Sequence, residues 1–288
     1  KENAKLISKA KLVDAEPREI YIIACLLVPI IGIGLYPKIM TDTYISSIDG
    51  LVERDLLAVE RIRSDQSTII SNHHLSYDKI NKFKSFIKRR SKSEPIAYIF
   101  KKKEFRSRDF FIDNKSLIPR PETELLIDPI IKIFKNKSLF FLDVGVGSGC
   151  ITYSILNEIK QSRGLGIDIS KKSLINAKIN LKKFKNRAKL MKRSIDDITH
   201  TKFDLIVSNP PYIVKREINR LSQDIKKYEP RIALDGGNDG LDVVKKVIYK
   251  AKNILKSNGI LALEIGTGQY LSVTKLLKAC NFRKKIII

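Results

Sequence analysis

From Leu139 onward, short apolar runs of strand-like composition alternate with stretches whose apolar residues recur at helical spacing, and this alternation constrains the fold more than any other feature. The strand-like runs cover residues 139–143, 164–168, 189–191, 203–208, 259–264 and 282–288, and the helical patterns cover 150–160, 171–184, 241–255 and 270–279. Nearly continuous apolar strands separated by amphipathic helices fit a parallel sheet covered on both faces, because each crossover lays a helix over the sheet. The expected class is therefore α/β, a mostly parallel sheet with helices on both faces.

The upstream region reads differently. Tyr77, Ile80, Phe83 and Ile87 follow three- and four-residue steps among lysines, which predicts an amphipathic helix over 76–90 capped by Ser76. A Ser-Lys-Ser-Glu-Pro turn at 91–95 ends it, and the alternating runs at 96–100 and 109–113 are expected to form a β-hairpin or two edge strands. Residues 20–36 are seventeen positions without a charge, at the short limit for a bilayer span of about 20 residues. Pro29, Gly32 and Gly34 disfavour a water-soluble helix yet are tolerated in lipid, and in a soluble structure the same run could be a buried hairpin. The expected organisation is a tail at 1–72, a connector helix and hairpin at 73–115, and a main domain at 116–288. The chain begins on Lys1 and ends on Ile286-Ile287-Ile288, so a fragment of a longer reading frame is expected, with the sheet truncated at its last strands and an exposed edge at 282–288.

With 55 Lys plus Arg against 31 Asp plus Glu, the formal charge is +24, while 43% of the 288 residues are apolar, which excludes a wholly disordered chain. A basic excess suits phosphate-bearing partners. The lysines, however, are scattered through nearly every helix and loop, as at Lys101-Lys102-Lys103, Lys171-Lys172 and Lys182-Lys183, which favours a general lysine-rich bias over a dedicated nucleic-acid face. Cys25, Cys150 and Cys280 are widely spaced, so neither a disulfide framework nor a metal site is expected, and a reducing, cytoplasmic compartment fits. His73, His74 and His200 lie in polar stretches and read as surface residues.

The chemistry is concentrated at the ends of the strand-like runs. The first ends in Asp143-Val144-Gly145-Val146-Gly147-Ser148-Gly149, with a helical pattern directly after it. Glycines let the backbone turn sharply and approach a ligand, and the helix N-terminus offers unpaired N–H groups. A dinucleotide fingerprint would need glycine where Cys150 stands; the D-x-G-x-G-x-G spacing is instead typical of adenosylmethionine sites. The next strand ends at Asp168, a carboxylate placed to accept hydrogen bonds from ribose hydroxyls. The 203–208 strand ends in Ser208-Asn209-Pro210-Pro211-Tyr212. Two prolines stiffen this turn and remove their own N–H groups, so the Asn209 side-chain oxygen and the Pro210 carbonyl can hold an –NH2 group by both hydrogens, with the Tyr212 ring as a flat wall. Such a clamp orients a nitrogen toward a methyl electrophile. No strong base is needed, because an amide nitrogen can lose its proton late, with positioning and desolvation lowering the barrier.

With these residues the chain resembles the amino-methylating, adenosylmethionine-dependent methyltransferases, a Rossmann-like superfamily. EPIAYI at 94–99, KEF at 103–105, LIPRPETE at 117–124 and YEPRIALDGGNDGL at 228–241 narrow the resemblance, from about Tyr77 to Ile288, to the HemK-type peptide chain release factor glutamine methyltransferases. The resemblance implies S-adenosylmethionine bound by Asp143, Gly145, Val146, Gly147, Ser148, Gly149, Asp168 and Asn209, with Ile195 packing on the adenine. It also implies a release-factor glutamine held at its amide by Asn209, Pro210, Pro211 and Tyr212, with the Ile118–Thr123 segment at the pocket entrance. There Arg120 and Glu122 either contact the substrate or pair with one another. Where the family often has an acid and an aromatic against the adenine, this chain has Lys192-Arg193-Ser194-Ile195-Asp196-Asp197. Of the family's N-terminal bundle only the 76–90 helix is represented. Instead, residues 14–39 resemble the C-terminal end of an NADH dehydrogenase subunit of the chain 4 type, without the intramembrane Lys, Glu or His that proton pumping needs. The expectation is a monomeric, cytoplasmic enzyme whose membrane contact, if any, runs through 20–36. The rival readings are an amino methyltransferase of RNA or DNA bases and an inactive membrane-subunit fusion.

Overall fold

The computed structural model describes residues 77–282. The tail at 1–72, its apolar run at 20–36, Cys25, His73, His74, Ser76 and positions 283–288 of the expected edge strand lie outside the described residues. From Asn81 on, the chain is one compact unit.

Helix α1 (Tyr77–Ser91) is a residue offset from the expected span. Its last turn is tied to the following loop by a bidentate pair, Arg89 Nε to Glu94 Oε2 at 2.8 Å and Nη2 to Oε1 at 2.5 Å. The bond from Arg89 holds the Glu94 carboxyl below the usual carboxylate range. The next run departs from expectation: residues 96–100 form a short helix, α2 (Ile96–Phe100), and not a strand. Pro95 precedes it at φ −57°, and Lys101 closes it in the left-handed region with its N–H on the Ala97 carbonyl. Five residues with apolar positions at both spacings fit either period, and proline at the start favours the helical one. The hairpin therefore begins later, β1 (Lys102–Phe105) with β2 (Arg108–Phe111), antiparallel, with Phe105 opposite Arg108. Its two-residue loop, Arg106-Ser107, has φ of 49° and 54°. Positive φ at both positions matches the twist of a tight hairpin.

The main sheet has five parallel strands, β3 (Leu139–Val144), β4 (Ser162–Asp168), β5 (Ala188–Lys192), β6 (Phe203–Ser208) and β7 (Leu255–Leu263), in the order β5-β4-β3-β6-β7. This is the expected Rossmann-like α/β architecture. Side chains alternate across the strands, so each inner strand feeds two cores. Phe141, Leu205 and Val207 pack with α3 (Ile127–Phe134), α4 (Cys150–Glu158) and α5 (Lys171–Asn180) on one face. Leu142, Val144, Leu165, Ile167 and Ile206 pack with Val247, Ala251 and Ile254 of α7 (Asp242–Ile254) on the other. A short helix α6 (Gln223–Tyr228) precedes α7, and α8 (Tyr270–Ala279) packs on α7 through Val273. Strand β7 starts directly from α7 and shifts register before Ile260, with Asn258 in the left-handed region. The sequence pattern placed its start after that irregularity.

Two asparagines a helical turn apart on α5 attach the hairpin to the sheet. Asn180 accepts from the Phe111 N–H at 2.8 Å and donates to the Phe111 and Ser148 carbonyls, both at 2.9 Å. Asn176, fully buried, donates to Asp113 Oδ1 and Ser116 Oγ. The hairpin, the glycine loop and α5 thus form one bonded assembly.

Gly164 on β4 faces the fully buried Phe141 ring so closely that an added Cβ would overlap it. Gly164→Ala should destabilise the domain by about 1–3 kcal/mol, the usual cost of overpacking a filled core. A urea titration checks this, with a lower midpoint and an unchanged slope as the expected result.

Candidate active site

Parallel pairing brings the carboxyl ends of β3, β4, β6 and β7 to one edge. Val144 sits opposite both Ile167 and Ser208, and Ser208 opposite Leu263. Ligands of open α/β sheets bind in the crevice outside such strand ends.

At β3 the chain turns through Gly145, Gly147 and Gly149, all at positive φ, into α4. The glycines do different work. A Cβ on Gly145 would meet nothing within 4 Å, so the loop leaves open space at the strand ends. One on Gly149 would come 3.3 Å from the Ala177 Cα and 3.1 Å from Leu181, so this glycine lets α4 and α5 pack closely. Asp168, at the end of β4, accepts the Gly147 N–H at 3.0 Å through one oxygen and the Ser170 N–H at 2.8 Å through the other. Two backbone donors fix its orientation and leave lone pairs for a diol, while burial holds its carboxyl above the usual range. Ile169, beside it, is 54% exposed, an apolar surface that can lie against a planar base. Its signal in the sequence, an apolar residue directly after the strand-end acid, was there to be used. Open space over a glycine turn, a braced acid and an exposed apolar neighbour fit adenosylmethionine.

Asp143 lies beneath this loop, 1% exposed. One oxygen accepts from Thr152 Oγ1 at 2.6 Å and the other has no partner. Burial pushes its carboxyl up to about 7, against the Thr152 bonds. Burial also pushes the Cys150 thiol up to about 12, which makes it a poor nucleophile. Ile195 is 4% exposed, in the core with Leu142 and Ile206. Asp197 caps the Ser194 N–H at 2.9 Å, while Asp196 is exposed and bonded to Ser194 Oγ.

At β6 the Asn209–Tyr212 turn lines a cavity of about 200 Å³ with Leu117, Arg120, Ile213, Ile225 and Leu234. Asn209 Nδ2 donates to Thr123 Oγ1 at 2.9 Å, and Thr123 Oγ1 donates to Glu264 Oε2 at 2.6 Å. The Tyr212 hydroxyl reaches Glu264 Oε1 at 3.3 Å. Burial holds the Glu264 carboxyl above its ordinary value, opposed by bonds from Thr123, Tyr212 and Asn209. Burial, with the Glu264 charge, pushes the Tyr212 phenol up to about 12, so it stays a neutral hydroxyl. Behind Tyr212, Gln269 Nε2 donates to the Tyr212 and Gly240 carbonyls at 3.0 and 3.1 Å. Gly240 passes so close that a Cβ there would lie 2.5 Å from the Tyr212 carbonyl oxygen.

Arg120 and Glu122 do not pair with one another. Arg120 lines the cavity and donates to Glu229 Oε1 at 2.5 Å, while Glu122 is exposed at the start of a 3-10 turn and is not among the cavity's lining residues. Glu229, its side chain 1% exposed, also accepts the Ile118 N–H. An arginine that neutralises a buried acid 109 positions away is a better-compensated arrangement than two adjacent exposed charges. Thr123 belongs to the segment expected at the pocket entrance, but its bonds to Asn209 and Glu264 were not evident in the sequence, nor were Glu229, Asn180 and Gln269 as site residues, because no local spacing links them to their partners. His200 is exposed, and no cluster of three metal-ligating side chains occurs among the described residues. Nor is any helix among them long and apolar enough to cross a membrane.

A glycine loop and a braced acid beside a rigid Asn-Pro-Pro-Tyr clamp define an adenosylmethionine-dependent amino methyltransferase. A family described as Methyltransferase small domain matches residues 121–228. The release factor glutamine methyltransferase of Caulobacter vibrioides is 37% identical over 72% of this chain and 73% of its own length. That of Buchnera aphidicola subsp. Schizaphis graminum is 38% identical over 80% of this chain and 84% of its own. The chain belongs to the release factor glutamine methyltransferase family. A separate match covers 26% of the chain: 76 residues are 95% identical to NAD(P)H-quinone oxidoreductase chain 4 of Prochlorococcus marinus (strain NATL2A), of which the chain spans only 14%.

Asp143 binds more protons folded than unfolded between about pH 4 and 7. The contribution of this carboxyl to folding stability therefore falls as pH rises through that window, then levels off. Asp143→Asn removes that contribution. Urea midpoints from pH 4 to 8 should show the variant gaining on the parent up to about pH 7 and running parallel above it.

Proposed function

We propose that this chain transfers a methyl group from S-adenosylmethionine to the N5 side-chain amide of the glutamine in the Gly-Gly-Gln motif of a peptide chain release factor. The observation that carries the reading is the clamp: Asn209 and two donor-free prolines line a cavity of about 200 Å³, and they follow Ser208, which pairs with Val144 just before the glycine loop. Bound S-adenosylmethionine supplies an electrophilic methyl. Gly145, Gly147 and Asp168 hold it at the strand ends, and Asn209, Pro210 and Tyr212 hold the substrate amide by its two N–H groups. The glutamine side chain is extended and slim. Leu117, Ile225 and Leu234 give the cavity walls that match its methylenes and exclude water. Arg120, fixed by Glu229, stands where the substrate backbone would enter.

Support for a protein substrate comes from the names of the relatives that span most of this chain. The same reading makes the chain a monomeric enzyme of the cytoplasm, with any membrane contact confined to 20–36.

The test is incubation of the purified chain with labelled S-adenosylmethionine and recombinant release factor, followed by peptide mapping. Label on the Gly-Gly-Gln glutamine is expected; label on RNA or DNA instead would overturn the assignment. Asn209→Ala should cost about 100-fold or more in kcat/KM, the scale of losing substrate positioning. Its circular dichroism spectrum and thermal midpoint should stay close to those of the parent.

A further inference from the structure

We infer that Glu264 is a positioning residue that turns the polar side chains of the clamp, Asn209 and Tyr212, into acceptors, so that the site selects a primary amide over a carboxylate. The inference rests on the proposed function and deepens it. An ionised carboxylate only accepts. Thr123 has one hydroxyl proton, and at 2.6 Å it is directed to Glu264 Oε2. The same oxygen must then accept from Asn209, and only the –NH2 of Asn209 can donate, as the 2.9 Å contact shows. The Asn209 carbonyl oxygen is therefore the edge left for the cavity. Tyr212 directs its proton to Glu264 Oε1, leaving its lone pairs outward. Pro210 and Pro211 have no N–H to offer. A chain of bonds that ends on one acid thus fixes the amide flip of a residue 55 positions earlier in the sequence.

No side chain of the clamp itself can donate to a substrate carboxylate, and Arg120, which also lines the cavity, is paired with Glu229. Glutamate matches glutamine in shape, so it is rejected by its polarity: at the clamp its oxygens would face the lone pairs of Asn209 and Tyr212. A site built to bond an N–H group discriminates strongly against an analogue lacking it.

Other sources of positioning for Asn209 would not have this consequence. If Glu264 only braced the strand end, removing its charge would weaken glutamine and glutamate binding alike. The backbone there is already held, since the Glu264 N–H donates to the Ser208 carbonyl at 3.0 Å.

In Glu264→Gln only one side-chain oxygen remains. Either Thr123 or Tyr212 then meets an –NH2 group and swings its own proton round. In the first case Asn209 turns its –NH2 to the cavity, and in the second the Tyr212 proton points there. Both outcomes place a donor where the parent has none.

The experiment measures kcat/KM on a Gly-Gly-Gln peptide and the inhibition constant of its Gly-Gly-Glu counterpart, for the parent, Glu264→Gln, Thr123→Val and Thr123→Ser. The parent should favour glutamine by at least about tenfold. Glu264→Gln should lose about 10- to 100-fold in kcat/KM and bind the glutamate peptide as well as the glutamine peptide or better. Thr123→Ser should recover most of what Thr123→Val loses. S-adenosylmethionine affinity by calorimetry and the thermal midpoint report whether the variants are folded, and both should stay near the parent values. An unchanged glutamine-to-glutamate ratio in folded Glu264→Gln overturns the inference while leaving the proposed function intact. A parent that binds S-adenosylmethionine but methylates no glutamine substrate sinks the proposed function, and the inference falls with it.

Discussion

The parallel registration of β3 with β4 and β6, extended by β6 with β7, is the constraint on which the site depends. Four strand ends stop level, so three unrelated local features arrive at one edge: a glycine turn, an acid and a proline-stiffened clamp. A slip of one residue would reverse every side chain between the faces, burying what must face a ligand and exposing what must face the core. The registration is itself held by packing on both faces. Phe141 fills the space that Gly164 leaves open, and Leu142 meets α7 on the other side. Ser208 adds a bond from its side chain to the Val144 carbonyl at 2.7 Å, joining β6 to β3 where the clamp begins.

The site is a place where acids collect in a strongly basic chain. Asp143, Asp168, Glu229 and Glu264 all lie at or near the strand ends, and burial raises the carboxyl of each. Each is answered differently: Asp168 by two backbone N–H groups, Glu229 by Arg120, Glu264 by hydroxyls, and Asp143 by a single threonine. The lysines contribute little to this. Pairs such as Lys102 with Asp109 are solvated on both sides, and such pairs stabilise by about 1 kcal/mol at most. Net charge here describes the surface and says little about the chemistry.

What was legible in the sequence was what is local. The glycine turn, Asp168 and the Asn209–Tyr212 run each declare themselves within a few residues, and the strand–helix alternation gave the sheet with its helices. The IAYIF run misled because five residues do not separate a period of two from one of 3.6, and the proline ahead of it decided for a helix. The partners that support the site were not legible, even where one residue of a pair was. Thr123 meets Asn209 across 86 positions and Arg120 meets Glu229 across 109, so nothing short of the folded chain pairs them. The YEPRIALDGGNDGL segment carried a family resemblance without a stated reason. The structure supplies one, since Glu229 anchors Arg120 and Gly240 makes room for the Tyr212 backbone.

An acceptor-only clamp also bears on how a reaction cycle ends. Two acceptors are matched by a group with two N–H bonds. On the proposed reading, replacing one of those hydrogens by a methyl group leaves one acceptor without its partner, a loss of about 1–3 kcal/mol. The proposed clamp would therefore grip the methylated amide less tightly than the amide it receives. On that reading, product release would draw on the same geometry as recognition, without a moving part.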